Sequence, residues 1–114
     1  MDDATRIRIR DMVEYATKAA DMVGERTAAD LAGEDMRRLA VVHAVQIVGE
    51  AARKVPDAVR ERAPSIAWRA AIAMRNILVH DYGDVNLDVL ISTVADDFPP
   101  LIADLERLLS ETNL

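Results

Sequence analysis

The stretch DMRRLAVVHAVQIVGEAARKVP, residues 35–56, decides the fold class of this chain. Asp35 can cap a helix that continues through Lys54, and Pro56 stops it because proline lacks the backbone donor that the next turn needs. The side chains that fall on or near one stripe of this helix are Leu39, Val42, His43, Gln46, Ile47 and Glu50. The stretch therefore predicts an amphipathic helix of about five turns.

Helical signals continue on the N-terminal side of this stretch. Asp2 or Asp3 can cap a first helix that Gly24 ends, and Thr27 with Asp30 forms a capping-box pattern that opens one short turn. On the other side, Pro56 allows a short helical segment over residues 57–63. Each of these signals is local, so the positions of the helix ends can be predicted before any packing is considered.

The C-terminal half also contains residues that predict where helices begin and end. Ser65 can cap a third main helix from Ile66 to Val79 or His80, and Gly83 is placed to end it. Asn86 can cap a helix that extends to Asp97, after which Pro99-Pro100 kinks or restarts the helix.

Composition agrees with an all-helical chain. Only 4% of the 114 residues are aromatic, there is no cysteine, and no segment alternates as a strand would. We therefore predict an all-α fold, an up-and-down bundle of four to five helices in a single domain over residues 1–114. The chain lacks an apolar run of the ~18 residues that a membrane span needs and lacks the apolar core of a signal peptide near its start. These features predict a cytoplasmic protein with no membrane association.

The charge is unevenly distributed. The net charge is −6, which by itself argues against a nucleic-acid partner. Residues 37–75, however, hold eight basic and three acidic side chains, whereas the segments on both sides are acidic. A basic middle segment can form a positive cleft on an acidic protein, and solvated helix faces with uneven charge would read the same way.

Residues 73–83, AMRNILVHDYG, contain the strongest candidates for catalytic residues. Cleavage of RNA needs a base for the 2′-hydroxyl, an acid for the leaving oxygen and a cation at the phosphorus centre. His80 can serve as base or acid, and the planar fork of Arg75 matches phosphate oxygens. Asn76 lies four residues before His80 and can orient the imidazole, and Tyr82 lies seven residues after Arg75 on roughly the same side. Arg75 and His80, five residues apart, can converge only where the helix ends.

These residues also have structural interpretations. A histidine in the last turn of a helix is stabilised by the helix dipole alone, and Arg75 would read equally well as a surface charge. Glu50 could form an ion pair with Arg75, or it could pair only with Arg53 or Lys54 on its own helix.

Two further residues invite assignment. His43, among valines, is interpreted as a core or interface histidine rather than a catalytic one. Trp68 is interpreted as a core or dimer-interface anchor, because no second aromatic accompanies it to form a base-stacking platform.

The motif Arg75-Asn76-x-x-x-His80-x-Tyr82 resembles the Arg-x4-His-x-Tyr signature of HEPN-domain toxins of the HepT type. The resemblance extends to three other segments in the same order: IVGEAARK at residues 47–54, PSIAW at 64–68 and DDFPPL at 96–101. The family has a proline immediately before this tryptophan, where the present chain has Ala67, which leaves the exact start of the third helix open.

The resemblance implies a HEPN-like helical homodimer in which two copies of the motif face each other across a cleft. It implies an endoribonuclease toxin that needs neither metal nor other cofactor, with RNA (tRNA or mRNA) as substrate. Arg75 and His80 would be the catalytic pair, with Asn76 and Glu50 as supporting residues. Tyr82 matches the tyrosine to which an MntA-type nucleotidyltransferase antitoxin transfers AMP, which silences the toxin.

Two other classes of function remain open from the sequence. One is a catalytically silent HEPN module that binds nucleotides or serves as the partner of a nucleotidyltransferase. The other is a purely structural helical adaptor. Growth arrest on expression that His80→Ala abolishes would distinguish the toxin from the silent module. The structural adaptor predicts that Arg75→Ala leaves every phenotype unchanged.

Overall fold

The computed structural model describes the backbone of residues 1–79 and 85–111 and the side chains of residues 1–75 and 85–111. Within these ranges the chain is helical and contains no strand. The helices are α1 (Asp3–Val23), α2 (Ala28–Ala32), α3 (Asp35–Arg53), α4 (Asp57–Arg62), α5 (Trp68–Val79), α6 (Leu87–Ser92), a π-helical turn (Thr93–Asp97) and α7 (Phe98–Ser110).

Most of the predicted helix ends are confirmed by hydrogen bonds. The Asp2 carboxylate accepts from the Thr5 N–H at 2.8 Å, and α1 ends at Gly24, whose φ of 54° suits glycine. Thr27 and Asp30 form the capping box in both directions, at 3.1 and 3.0 Å. The Asn86 side chain likewise accepts from the backbone N–H three residues on, at 3.1 Å.

Two predicted caps are wrong. Glu34, not Asp35, precedes α3, and Asp35 is instead the first helical residue and pairs with Arg38 at 2.9 Å. Ser65 does not cap α5, which begins at Trp68 rather than Ile66. The reason is a turn after Pro64, in which the Ile66 N–H donates to the Ala63 carbonyl at 3.1 Å and delays the helix.

The prediction of four to five helices undercounts the described segments, because it treats the segment after Thr27 as a single turn and the one over residues 57–63 as only a short segment. The segment from α6 through the π-helical turn to α7 is continuous, so the described residues form six helical segments. At the junction the Phe98 N–H donates to the Thr93 carbonyl, five residues back. Pro99 and Pro100 have no N–H to offer, so a widened turn before them lets the helix continue where the prolines would otherwise break it.

The core lies where α1 packs between α3 and α7. Arg37 Nη1 donates to the Met22 carbonyl at 3.0 Å, and Arg6 Nη1 donates to the Leu109 carbonyl at 3.1 Å. These bonds join the end of α1 to the start of α3, and the start of α1 to the end of α7. Trp68 is buried in this core, as predicted, with its Nε1 donating to the Ala63 carbonyl at 3.1 Å.

The predicted apolar stripe of α3 is not the face that is buried in the structure. The buried face of α3 consists of Val41, Ala44, Val45, Val48, Gly49, Ala51 and Ala52. Leu39 is 65% exposed and His43 is exposed as well, so His43 is not a core residue. Because α3 is apolar around most of its circumference, periodicity alone cannot tell its buried face from its exposed one.

No helix within the described part of the chain combines the length and the apolar character that crossing a membrane requires.

Candidate active site

Gly49 lets α3 and α5 approach each other closely at the site. A Cβ at this position would lie 3.0 Å from the Ala71 carbonyl oxygen, 3.0 Å from the Arg75 backbone nitrogen and 3.1 Å from the Arg75 Cβ. Two of these neighbours are backbone atoms, which cannot rotate out of the way. The glycine therefore brings the backbone of α3 against α5 beside Arg75, and it places the next residue, Glu50, within reach of the guanidinium.

Glu50 is the centre of a charged cluster. Its Oε2 lies 3.0 Å from Arg75 Nε, and its Oε1 lies 2.7 Å from Arg53 Nη2 and 3.8 Å from Lys54 Nζ. We call these four residues the Glu50 cluster. The two pairings left open by the sequence thus occur together, and the contact with Arg75 joins α3 to α5.

The cluster is electrostatically one-sided. The hydrogen bond from Arg53 is the main cause that lowers the pKa of Glu50; partial burial opposes it, and the charges of Arg53, Arg75 and Lys54 add to the lowering. The same hydrogen bond raises the pKa of Arg53. Three cations therefore surround one carboxylate that stays ionised at neutral pH, and the cluster carries a net positive charge.

Solvent reaches every member of the cluster. Between 35% and 51% of each side chain is exposed. Ion pairs this exposed contribute little to the stability of a fold. The arrangement is thus better suited to holding Arg75 in one position and presenting positive charge than to holding the two helices together.

The remaining predicted site residues are only partly covered by the structure. Asn76 belongs to α5 by its backbone, but its side chain lies outside the described residues, as do His80 and Tyr82 entirely. The expected end of the helix at Gly83 lies outside them too. The convergence of Arg75 with His80 therefore stays a prediction.

A groove of about 310 Å³ lies away from this cluster. It runs between the start of α5 and α7, and its lining includes small apolar side chains such as Ala67 and Ala70. Asp97 and Asp104 line it, and their charge would repel a phosphate. A ligand with a polyanionic backbone fits the open Glu50 cluster better than this groove.

Sequence reasoning missed the role of Gly49. A lone glycine inside a helical pattern often marks a close approach of another element, and that signal was present in residues 47–54. The sequence did not show which helix approaches. It also could not show that one carboxylate serves Arg53, Lys54 and Arg75 together.

Comparison with known proteins identifies the family of this chain. The family model described as "Ribonuclease HepT-like" matches residues 12–108. "Probable ribonuclease HepT" of Thermococcus cleftensis is 32% identical over 103 residues, which cover 87% of this chain and 94% of that protein. A "Putative RNase" of Methanocaldococcus jannaschii is 29% identical over 96 residues, covering 84% and 88% of the two chains.

A more distant relative has similar coverage. A "Putative RNase" of Caldanaerobacter subterraneus subsp. tengcongensis is 24% identical over 106 residues, which cover 90% of this chain and 95% of the relative. No solved structure matches the chain. The family model spans α3 and α5 and hence the whole Glu50 cluster. The resemblance seen in the sequence is confirmed, and the chain belongs to the HepT-like ribonuclease family.

Proposed function

We propose that this protein is a metal-independent endoribonuclease toxin in which Arg75 and His80 carry out the cleavage. The observation that carries the proposal is the contact between Arg75 Nε and Glu50 Oε2 at 3.0 Å, on an exposed surface of a chain of the ribonuclease family. Because Glu50 engages Nε, this contact leaves the two Nη groups of Arg75 for other acceptors. Those two groups form the fork that pairs with phosphate oxygens.

The proposed reaction is transesterification of the RNA backbone. The 2′-hydroxyl oxygen attacks the neighbouring phosphorus while the bond from phosphorus to the 5′-oxygen of the next nucleotide breaks. One His80 takes the hydroxyl proton, and the His80 of a second copy gives a proton to the leaving oxygen. The products are a 2′,3′-cyclic phosphate and a 5′-hydroxyl. Arg75 stabilises the charge that builds up on the phosphoryl oxygens, and Asn76 orients the imidazole.

Glu50 acts in this proposal as a positioning residue. It touches Arg75 rather than the substrate, and an ionised carboxylate beside Nε restricts the rotamers of a long side chain. Restriction before the substrate arrives removes part of the entropic cost of reaching the reactive geometry. The lowered pKa of Glu50 keeps the carboxylate charged across the neutral pH range in which histidine catalysis works.

A second copy of the chain would complete the site. Met36 and Leu39 are 87% and 65% exposed on the face of α3 that is turned away from the core, and His43 follows them on the same face. Glu50 lies farther along this helix at the same helical spacing. Two apolar side chains exposed this far at the start of a face that leads to the site favour a homodimer across it.

We further propose that an antitoxin regulates the protein by modifying Tyr82. Its phenolic oxygen would attack the α-phosphorus of ATP in an MntA-type nucleotidyltransferase, with release of pyrophosphate. The AMP group left on Tyr82 would bring a bulky anion close to Arg75 and imitate the substrate phosphate. The toxin would then be silenced without being unfolded.

Incubation with tRNA and total RNA in the presence of EDTA tests the proposal, with His80→Ala purified in parallel. We expect cleavage by the wild-type protein alone and cyclic-phosphate ends on the products. If neither protein cleaves RNA, and mass spectrometry finds no adduct on Tyr82, the silent nucleotide-binding module replaces the ribonuclease proposal.

A further inference from the structure

Arg53 and Lys54 lie at the end of α3, one helical turn beyond Glu50. Both contact Oε1 of Glu50, whereas Arg75 contacts Oε2. The two cations therefore stand on the other side of the carboxylate from the residue that we propose to hold the scissile phosphate.

The single negative charge of Glu50 does not neutralise the positive charges of Arg53 and Lys54. Arg53 is within hydrogen-bond distance of Oε1 at 2.7 Å, but the Lys54 ammonium is 3.8 Å away, which is too far for a hydrogen bond. Asp57, the next acidic residue along the chain, is paired with Arg60 at 2.8 Å. One carboxylate thus faces three cations, and the surplus charge can attract an anion.

Both side chains are also accessible to a ligand. Arg53 is 51% exposed and Lys54 is 42% exposed, so a phosphate can reach either group without a rearrangement of the fold. Binding would replace solvent around groups that are already close together and already charged.

We propose that Arg53 and Lys54 form a subsite that binds an RNA backbone phosphate next to the phosphate held by Arg75. The inference rests on the proposed ribonuclease function and extends it to the substrate on one side of the cut. Arg53 and Lys54 do not touch the reacting atoms in this account; they bind the substrate. Their contribution appears in affinity and in its dependence on salt, and the rate of the bound complex is set elsewhere.

The test compares two double variants with equal changes in charge. The first is Arg53→Gln with Lys54→Gln. The control is Arg107→Gln with Lys18→Gln, in which each cation also pairs with a carboxylate of its own helix at the matching spacing. Arg107 and Lys18 lie on α7 and α1, and neither helix contributes a residue to the Glu50 cluster.

For the first variant we expect KM for RNA to rise on the order of tenfold at moderate salt while kcat stays within about twofold. The slope of log affinity against log salt should become shallower by about 0.7, because the subsite neutralises one phosphate and each neutralised phosphate of a single strand contributes about 0.7. The control should leave both quantities close to the wild-type values. Arg53→Lys with Lys54→Arg preserves the charge and should restore most of the affinity.

Several results would overturn the subsite. A fall in kcat at unchanged KM would show that the pair acts only by tuning Glu50, and equal loss in the control variant would show a non-specific effect of net charge. If wild-type protein does not cleave RNA, the ribonuclease proposal fails separately. The subsite is then judged by fluorescence anisotropy with a labelled single-stranded RNA: weaker binding by the first variant alone retains it, and unchanged binding rejects it.

Discussion

Two clusters of glutamate and arginine lie at opposite ends of α3. Both contain ion pairs between the two residue types, but the ion pairs have different roles. At the start of the helix, Glu34 lies 2.9 Å from Arg26 Nε and 3.6 Å from Arg37 Nε. At its end, Glu50 contacts Arg53, Lys54 and Arg75. The difference lies in what else the cations contact.

In the first cluster the arginines are tied to the backbone. Arg26 Nη1 and Arg37 Nη1 both donate to the Met22 carbonyl, at 3.4 and 3.0 Å. This carbonyl belongs to the last turn of α1, where helical partners run out, so the arginines satisfy an acceptor that the fold leaves open. Their role is to fix the corner between α1 and α3.

In the Glu50 cluster, the contacts found among the described residues are between side chains only. Its cations are about 42–51% exposed, against 33% and 35% for Arg26 and Arg37. An arginine beside a glutamate is available to bind a ligand when its remaining donors face solvent, and it is structural when those donors bind the backbone.

Apart from the loss of Arg75 itself, the largest effect that would sharpen this comparison is expected from the exposed face of α3 between the two clusters. Leu39→Glu places a charge on a side chain that is already 65% exposed, so the fold should be unaffected while association is lost. We expect sedimentation equilibrium to show a monomer and RNA cleavage to fall by about a hundredfold, because the two halves of the proposed composite site would be separated.

The matched control for that prediction is Ile7→Glu, which changes another exposed apolar residue, 51% exposed, on α1. It should remain a dimer and remain active. A Leu39→Glu protein that still sediments as a dimer and cleaves normally would contradict the proposal that a second copy binds across this face and completes the site.

A smaller effect is expected from Glu50→Gln. The amide keeps the size of the side chain but removes the charge that holds Arg75, so kcat should fall by about tenfold at nearly unchanged KM. Glu34→Gln, in the corner cluster, should leave kcat unaltered. Equal kinetics for the two variants would mean that Glu50 does not position Arg75.

The smallest expected effect concerns pH and stability. Because the pKa of Glu50 is lowered in the folded protein from its ordinary value of 4.5, its contribution to stability is present above that pH and is lost as the pH falls through the lowered value. The melting temperature of wild type should slightly exceed that of Glu50→Gln at pH 7, and the gap should close below pH 4.5. A gap that widens in acid would contradict the sign of the shift.

Much of the fold could be predicted because its signals are local. The caps at Asp2, Thr27 and Asn86 depend on a few neighbouring residues, and the structure confirms each one. The buried face of α3 could not be predicted, because its apolar residues surround most of the helix. Only the packing of α3 against the neighbouring helices selects Val41 and Val45 over Leu39.

The candidate site shows the same division between local and long-range information. Arg75 could be picked out by its residue type and its spacing from His80, and Glu50 by the segment that surrounds it. The pairing of these two depends on Gly49, since it is the absence of a Cβ there that lets α3 and α5 meet. Contacts of this kind join residues far apart in the chain and leave no periodic signal in it.

The most direct test of the central claim is cleavage of RNA in EDTA by Arg75→Ala beside Arg37→Ala, with a melting curve for each protein. We predict that Arg75→Ala loses cleavage by roughly 10²–10³-fold and melts like wild type. We predict the reverse for Arg37→Ala, which should lose about 1 kcal/mol of stability with the Met22 contact and keep its activity while folded. An active Arg75→Ala protein would contradict the assignment of the Glu50 cluster to the active site.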